Sequence, residues 1–133
     1  MIISLHIPKT AGTTLSTYLD YSFRRRILYD YRNQIVPAEV NEIMKMKEFL
    51  DRFSIIHGHF FYSKYKDVYP EATYISCVRN PVDRVISNFF HLIREKDMNQ
   101  PIYRDIAKDN LDIVGYAQLP RIKRAQAIFL EGR

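Results

Sequence analysis

Ile2-Ile3-Ser4-Leu5-His6-Ile7 is a short, largely apolar run, and Pro8-Lys9-Thr10-Ala11-Gly12-Thr13-Thr14 follows it directly. The run predicts a strand covered on both faces. Beyond it Leu15, Tyr18, Leu19, Phe23 and Ile27 recur at helical spacing, which predicts a helix over 13–28 capped by Thr13 or Thr14. Strand, tight turn through Gly12 and helix start form the arrangement that aims free backbone N–H groups at an anion. Gly12 keeps a side chain out of that approach, and Lys9 adds a mobile positive charge. Thr10, Thr13 and Thr14 offer hydroxyls to phosphate or sulfate oxygens.

Two further apolar runs, 54–59 and 73–78, predict strands of the same buried kind. Between them and after them lie amphipathic stretches. A helix is predicted over 38–52, with Pro37 near its start and Val40, Ile43, Met44 and Leu50 on one face. Another is predicted over 82–96, with Val82, Val85, Ile86, Phe89 and Ile93 as its buried stripe and Pro81 in its first turn. Weaker helical patterns cover 101–108 and 119–131. Strands and helices taking turns in this way indicate an α/β protein with a parallel sheet.

The composition fits one globular domain: 133 residues, 47% hydrophobic and 26% charged. Twenty Lys and Arg against 15 Asp and Glu leave a net charge of +5, a field that concentrates anionic ligands. The single cysteine, Cys77, excludes an internal disulfide and a cysteine cluster for zinc, and its apolar setting predicts burial. Met1 to Leu5 carry neither a basic leader nor an apolar stretch long enough for a signal or anchor. The chain as written is expected in the cytoplasm, unless an upstream membrane anchor has been removed.

A second anion grip follows the third predicted strand. Arg79 stands at its carboxyl end, where ligands of open α/β sheets collect, and its planar fork suits phosphate. Ser87 lies eight residues on, so both can face one anion if the chain turns tightly at Asn80-Pro81. Arg84 reads as a solvated helix residue. The competing P-loop of ATP and GTP enzymes requires lysine after its second glycine and an aspartate at a neighbouring strand end. Here Lys9 precedes the glycine of the loop and the strand ends in Arg79.

With both loops in place the sequence resembles the sulfotransferases that use 3′-phosphoadenosine-5′-phosphosulfate (PAPS), and in particular the carbohydrate branch with the uronosyl 2-O-sulfotransferases. The resemblance covers residues 2–92. It implies a P-loop-like three-layer α/β fold with a central parallel sheet flanked by helices. It also implies that Pro8, Lys9, Thr10, Ala11, Gly12, Thr13 and Thr14 hold the 5′-phosphosulfate, and that Arg79 and Ser87 hold the 3′-phosphate. Ile55-Ile56-His57-Gly58-His59-Phe60 looks like the His-Gly-His strand end of the 2-O-sulfotransferases, where histidine is the catalytic base; positions 57 and 59 project to one side of a strand. Relatives of this kind continue further, and Gln126 to Gly132 reads as the start of that continuation, so a C-terminal truncation is expected.

The implied reaction is in-line attack by an acceptor hydroxyl, with 3′-phosphoadenosine-5′-phosphate (PAP) as the product and no metal. His59 is the expected base, with His57 in reserve, since imidazole titrates at about 6.5. Lys9 is expected to stabilise charge on the departing phosphate. The acceptor is expected to be a carbohydrate, on resemblance alone. The alternatives are a P-loop-type phosphotransferase and a non-catalytic PAP-binding remnant. A nucleic-acid binder is disfavoured, because the Tyr and Phe residues mostly fall on apolar stripes. Tyr62, Tyr65 and Tyr69 are the exceptions, read as packing under a short helix, with the lining of an acceptor cleft beside His59 as the alternative.

Overall fold

Ile2–Leu5 forms strand β1, and the chain turns through residues 6–11 into helix α1, Gly12–Phe23. The structure is a computed structural model that describes residues 1–31, 36, 37 and 39–131. The predicted helix start at 38 and the predicted continuation as far as Gly132 lie partly outside them. A 3₁₀ turn at Arg24–Arg26 leads into β2, Ile27–Tyr31, and then come α2 (Val40–Lys45), α3 (Lys47–Leu50), β3 (Ile55–His59), α4 (Ser63–Lys66) and β4 (Thr73–Ser76). The four strands lie in the order β2-β3-β1-β4, every pair parallel. The parallel sheet flanked by helices is therefore as expected. No helix among the described residues is long and apolar enough to cross a membrane.

The strand β2 corrects the prediction, which ran α1 on to residue 28. The helical spacing does continue to Ile27, but the period changes from 3.6 to 2 at the three arginines, where neither Gly nor Pro marks the break. In β2 burial alternates, with Leu28 and Asp30 inside. Leu28 joins Ile3, Leu5 and Ile56 on one sheet face, packed by Val36, Ile43, Leu50, Phe60, Tyr65, Val68 and Tyr69. Each such side chain gains roughly 1.5–3 kcal/mol on burial. Tyr65 and Tyr69 are core residues as expected, while Tyr62 is more open and packs on Tyr74. Met44, predicted inside, is exposed; Cys77 is only half-buried.

The same face contains a buried ion pair. Lys64 donates to Asp30 Oδ2 at 2.7 Å and to the Val36 carbonyl at 2.8 Å, and the Tyr65 hydroxyl donates to the same carboxylate oxygen at 2.9 Å. Gly58, paired with Asp30 in the sheet, leaves room for the backbone of that residue: a Cβ there would lie 1.7 Å from the Asp30 carbonyl oxygen.

The described residues group into two compact units, Met1–Val78 with the residues from Ala127 onward, and Arg79–Gln126. The second unit holds α5 (Pro81–Glu95), α6 (Pro101–Asp109), α7 (Ile113–Gln118), α8 (Pro120–Lys123) and the start of α9 (Ala125–Glu131). Its core is Phe89, Leu92, Ile106, Tyr116 and Ile122, with Val85 against it. The predicted stripe of α5 was rotated: Val85, Phe89 and Leu92 face inward, whereas Val82, Ile86 and Ile93 are exposed. Arg84, expected in solvent, is buried and donates to the Ile122 carbonyl at 3.2 Å. The predicted helix 119–131 is two helices, broken at Arg124.

Candidate functional site

The loop after β1, where the sequence predicts an anion grip, has an uncommon backbone. Lys9 and Ala11 both have left-handed φ values, 69° and 62°, an unusual pair for residues with side chains. Helix α1 begins at Gly12 with Ala11 as its N-cap and no side-chain cap. Neither Thr13 nor Thr14 caps it, contrary to expectation. The first-turn amides of Gly12, Thr13 and Thr14 consequently have no partner within the helix. Thr10 differs from expectation as well: it is buried, and its hydroxyl donates to the Ile7 carbonyl at 2.7 Å, closing the turn. Thr13 and Thr14 are exposed on the helix start, while Pro8 and Lys9 are half-buried.

Beside this loop, the sheet face opposite the apolar core carries a polar ladder. Register places Ser4, His57 and Tyr29 in one row, and Tyr31 opposite His59 in the next. His6 extends β1 into that second row, its N–H donating to the Gly58 carbonyl at 2.8 Å. The His6 ring stacks on His57 at 5.2 Å and meets the His59 ring edge-on at 4.4 Å; Tyr31 lies 4.8 Å from His59. His57 Nδ1 is hydrogen-bonded to Ser4 Oγ at 2.9 Å, and His6 Nδ1 to Tyr31 Oη at 3.0 Å.

Burial sets the charge state of these groups. His57 is fully buried; desolvation, with the neighbouring charge of His6, holds its pKa down to about 4 against the opposing pull of Asp20 and Ser4. Burial lowers His6 too. It raises the Tyr29 and Tyr31 hydroxyls, helped by Asp20 on α1. In all four the shift favours the uncharged form. His59 sits at the end of the strand and is the more open of the two predicted histidines. Sequence reasoning gives Tyr29 and Tyr31 no role and His6 none beyond heading the first loop segment; the alternation of Ser4 with His6 and of Tyr29 with Tyr31 is the available signal.

The second predicted grip belongs to the Arg79–Gln126 unit. Arg79 is exposed just ahead of α5, and Ser87 is half-buried on the second turn of that helix. Asn80 is the helix cap, its Oδ1 accepting from Val82 N at 2.9 Å and Asp83 N at 3.4 Å, with Pro81 at the first helical position. The amide of Gln126, a residue given no such role from sequence, clamps the Arg79 peptide. Among the described residues no three His, Cys, Asp or Glu side chains form a metal-ligand group.

Residues 1–126, the loop, the ladder and both strand ends included, match the profile described as the Sulfotransferase family. The chain belongs to that family. No curated protein and no solved structure matches it. Membership makes sulfuryl transfer to a hydroxyl-bearing acceptor the general chemistry of this sulfotransferase.

Proposed function

We propose that this sulfotransferase takes its sulfuryl group from PAPS and delivers it to a hydroxyl of a carbohydrate, in the manner of the 2-O branch. The carrying observation is the loop of residues 8–14: two left-handed residues, a bare Gly12 and an uncapped helix start next to a row of histidines. When bound, PAPS supplies a sulfuryl group already activated by its 5′-phosphate leaving group.

The residues divide the work as follows. Lys9 and the amides of Gly12, Thr13 and Thr14 would hold the 5′-phosphosulfate, and fixed donors of this kind stabilise charge that grows during transfer. The guanidinium of Arg79 and the hydroxyl of Ser87 would take the 3′-phosphate. His59 removes the acceptor proton. Two features support His59 over His57: His57 is fully buried and bonded to Ser4, whereas His59 is more open at the strand end.

Thermal-shift measurements with PAP, adenosine-5′-phosphosulfate and Mg-ATP test the donor, with the largest stabilisation expected from PAP. Stabilisation by Mg-ATP alone would revive the phosphotransferase alternative. His59→Ala should abolish sulfation of a uronic-acid polysaccharide and leave PAP binding intact; PAP binding by the wild-type chain without sulfation of any acceptor would refute catalysis.

A further inference from the structure

His6 touches both halves of the first unit's site. On one side its ring lies 4.4 Å from that of His59. On the other it occupies the space that a side chain at position 12 would need: a Cβ on Gly12 would come within 1.5 Å of His6 Nε2 and 2.1 Å of Cε1. The third side is held by Tyr31, 3.0 Å from Nδ1. An imidazole is a narrow slab with a polar atom at each edge, so it fits between a helix start and a neighbouring strand where a phenyl ring would lose the Tyr31 bond.

The geometry points to His6 as a positioning residue that keys the anion loop to His59, so that the loop and the histidine keep one fixed relation. This rests on the assignment of His59 as base. The ring's orientation follows from its bond to Tyr31, and both partners stay neutral because burial disfavours their charged forms. Around the ring stand Tyr31 of β2 and His57 and His59 of β3; behind them Ser4 of β1 bonds to His57, Tyr29 of β2 meets the His57 ring, and the charge of Asp20 on α1 acts on His57 and on both tyrosines. A displaced His6 therefore shifts the loop and His59 together.

The test is a cycle of Gly12→Ala and His6→Ala, read by PAP binding, by turnover and by the His59 ring signals in a proton–nitrogen spectrum. Gly12→Ala should move the His59 signals when His6 is present and leave them still in the His6→Ala background, where PAP affinity should also recover. His6→Ala alone should lower kcat by about 10- to 100-fold, the scale of a misplacement of roughly 1 Å, with little change in PAP affinity. Tyr31→Phe preserves the shape and removes only the bond to Nδ1, so a smaller loss of kcat is expected there if Gly12→Ala does not fold. Equal movement of the His59 signals in both backgrounds, or full kcat in both His6→Ala and Tyr31→Phe, would overturn the proposal. Failure of the base assignment is seen separately, as full turnover in His59→Ala.

Discussion

The side-chain amide of Gln126 holds the Arg79 peptide from both ends, accepting from its N–H at 2.9 Å and donating to its carbonyl at 2.9 Å. Nothing is left of the clamp in Gln126→Ala, and Gln126→Glu keeps an acceptor but cannot donate. Two exposed hydrogen bonds contribute at the low end of roughly 0.5–1.5 kcal/mol each, so PAP affinity should fall about fivefold in Gln126→Ala. Titration calorimetry of PAP against both variants measures this. Wild-type affinity in both would show that the clamp does not set the position of Arg79 for binding.

Arg79→Ala should weaken PAP much more than adenosine-5′-phosphosulfate, which lacks the 3′-phosphate. A charge-assisted contact contributes roughly 1.5–3 kcal/mol, or about 10- to 150-fold in affinity. Equal losses for the two nucleotides would remove Arg79 from the 3′-phosphate.

His57 makes stability depend on pH. Its folded-state pKa is lowered from 6.5 to about 4, so the unfolded chain takes up a proton before the folded one does. The stabilisation is fully present above pH 6.5 and is lost as pH falls from there through about 4. By linkage the loss approaches about 3 kcal/mol. Urea unfolding at pH 7.5, 6, 5 and 4 should show this decline for the wild type and a flatter one for His57→Gln. Parallel curves would assign the acid sensitivity to other groups.

The pair of Lys64 and Asp30 should respond asymmetrically. The Asp30 carboxylate is fully buried, and Lys64→Met leaves that charge uncompensated, a change that costs roughly 3–5 kcal/mol. Adding Asp30→Asn removes the charge and should restore a large part of the loss. Unfolding free energies of the single and double variants decide it, and additive losses would mean that the pair contributes no coupling.

Much of the site could be read locally. The Pro8–Thr14 turn, the strand after Met1 and the helix start behind Asn80-Pro81 are set by residues adjacent in the chain, because turn and cap chemistry act over a few positions. The alternation of buried runs with amphipathic stretches was enough for the parallel sheet. Where the signal was nonlocal it failed. Asp30 hid a strand, since a carboxylate in a buried run makes sense only once Lys64, 34 residues away, supplies its partner. The pattern misplaces the buried side of α5 because Arg84 is inside and four apolar residues, Val82, Ile86, Phe90 and Ile93, are outside.

The sequence by itself determined that a glycine turn joins the first strand to a helix, that a His-Gly-His segment ends another strand, and that an arginine turn opens a helix. Only the tertiary structure decided what surrounds His59. Parallel pairing of β2, β3 and β1 stacks residues far apart in the chain into one face, so that Tyr31, His6 and His59 meet. Strand register settles this, and register is a property of the assembled sheet, not of any one strand.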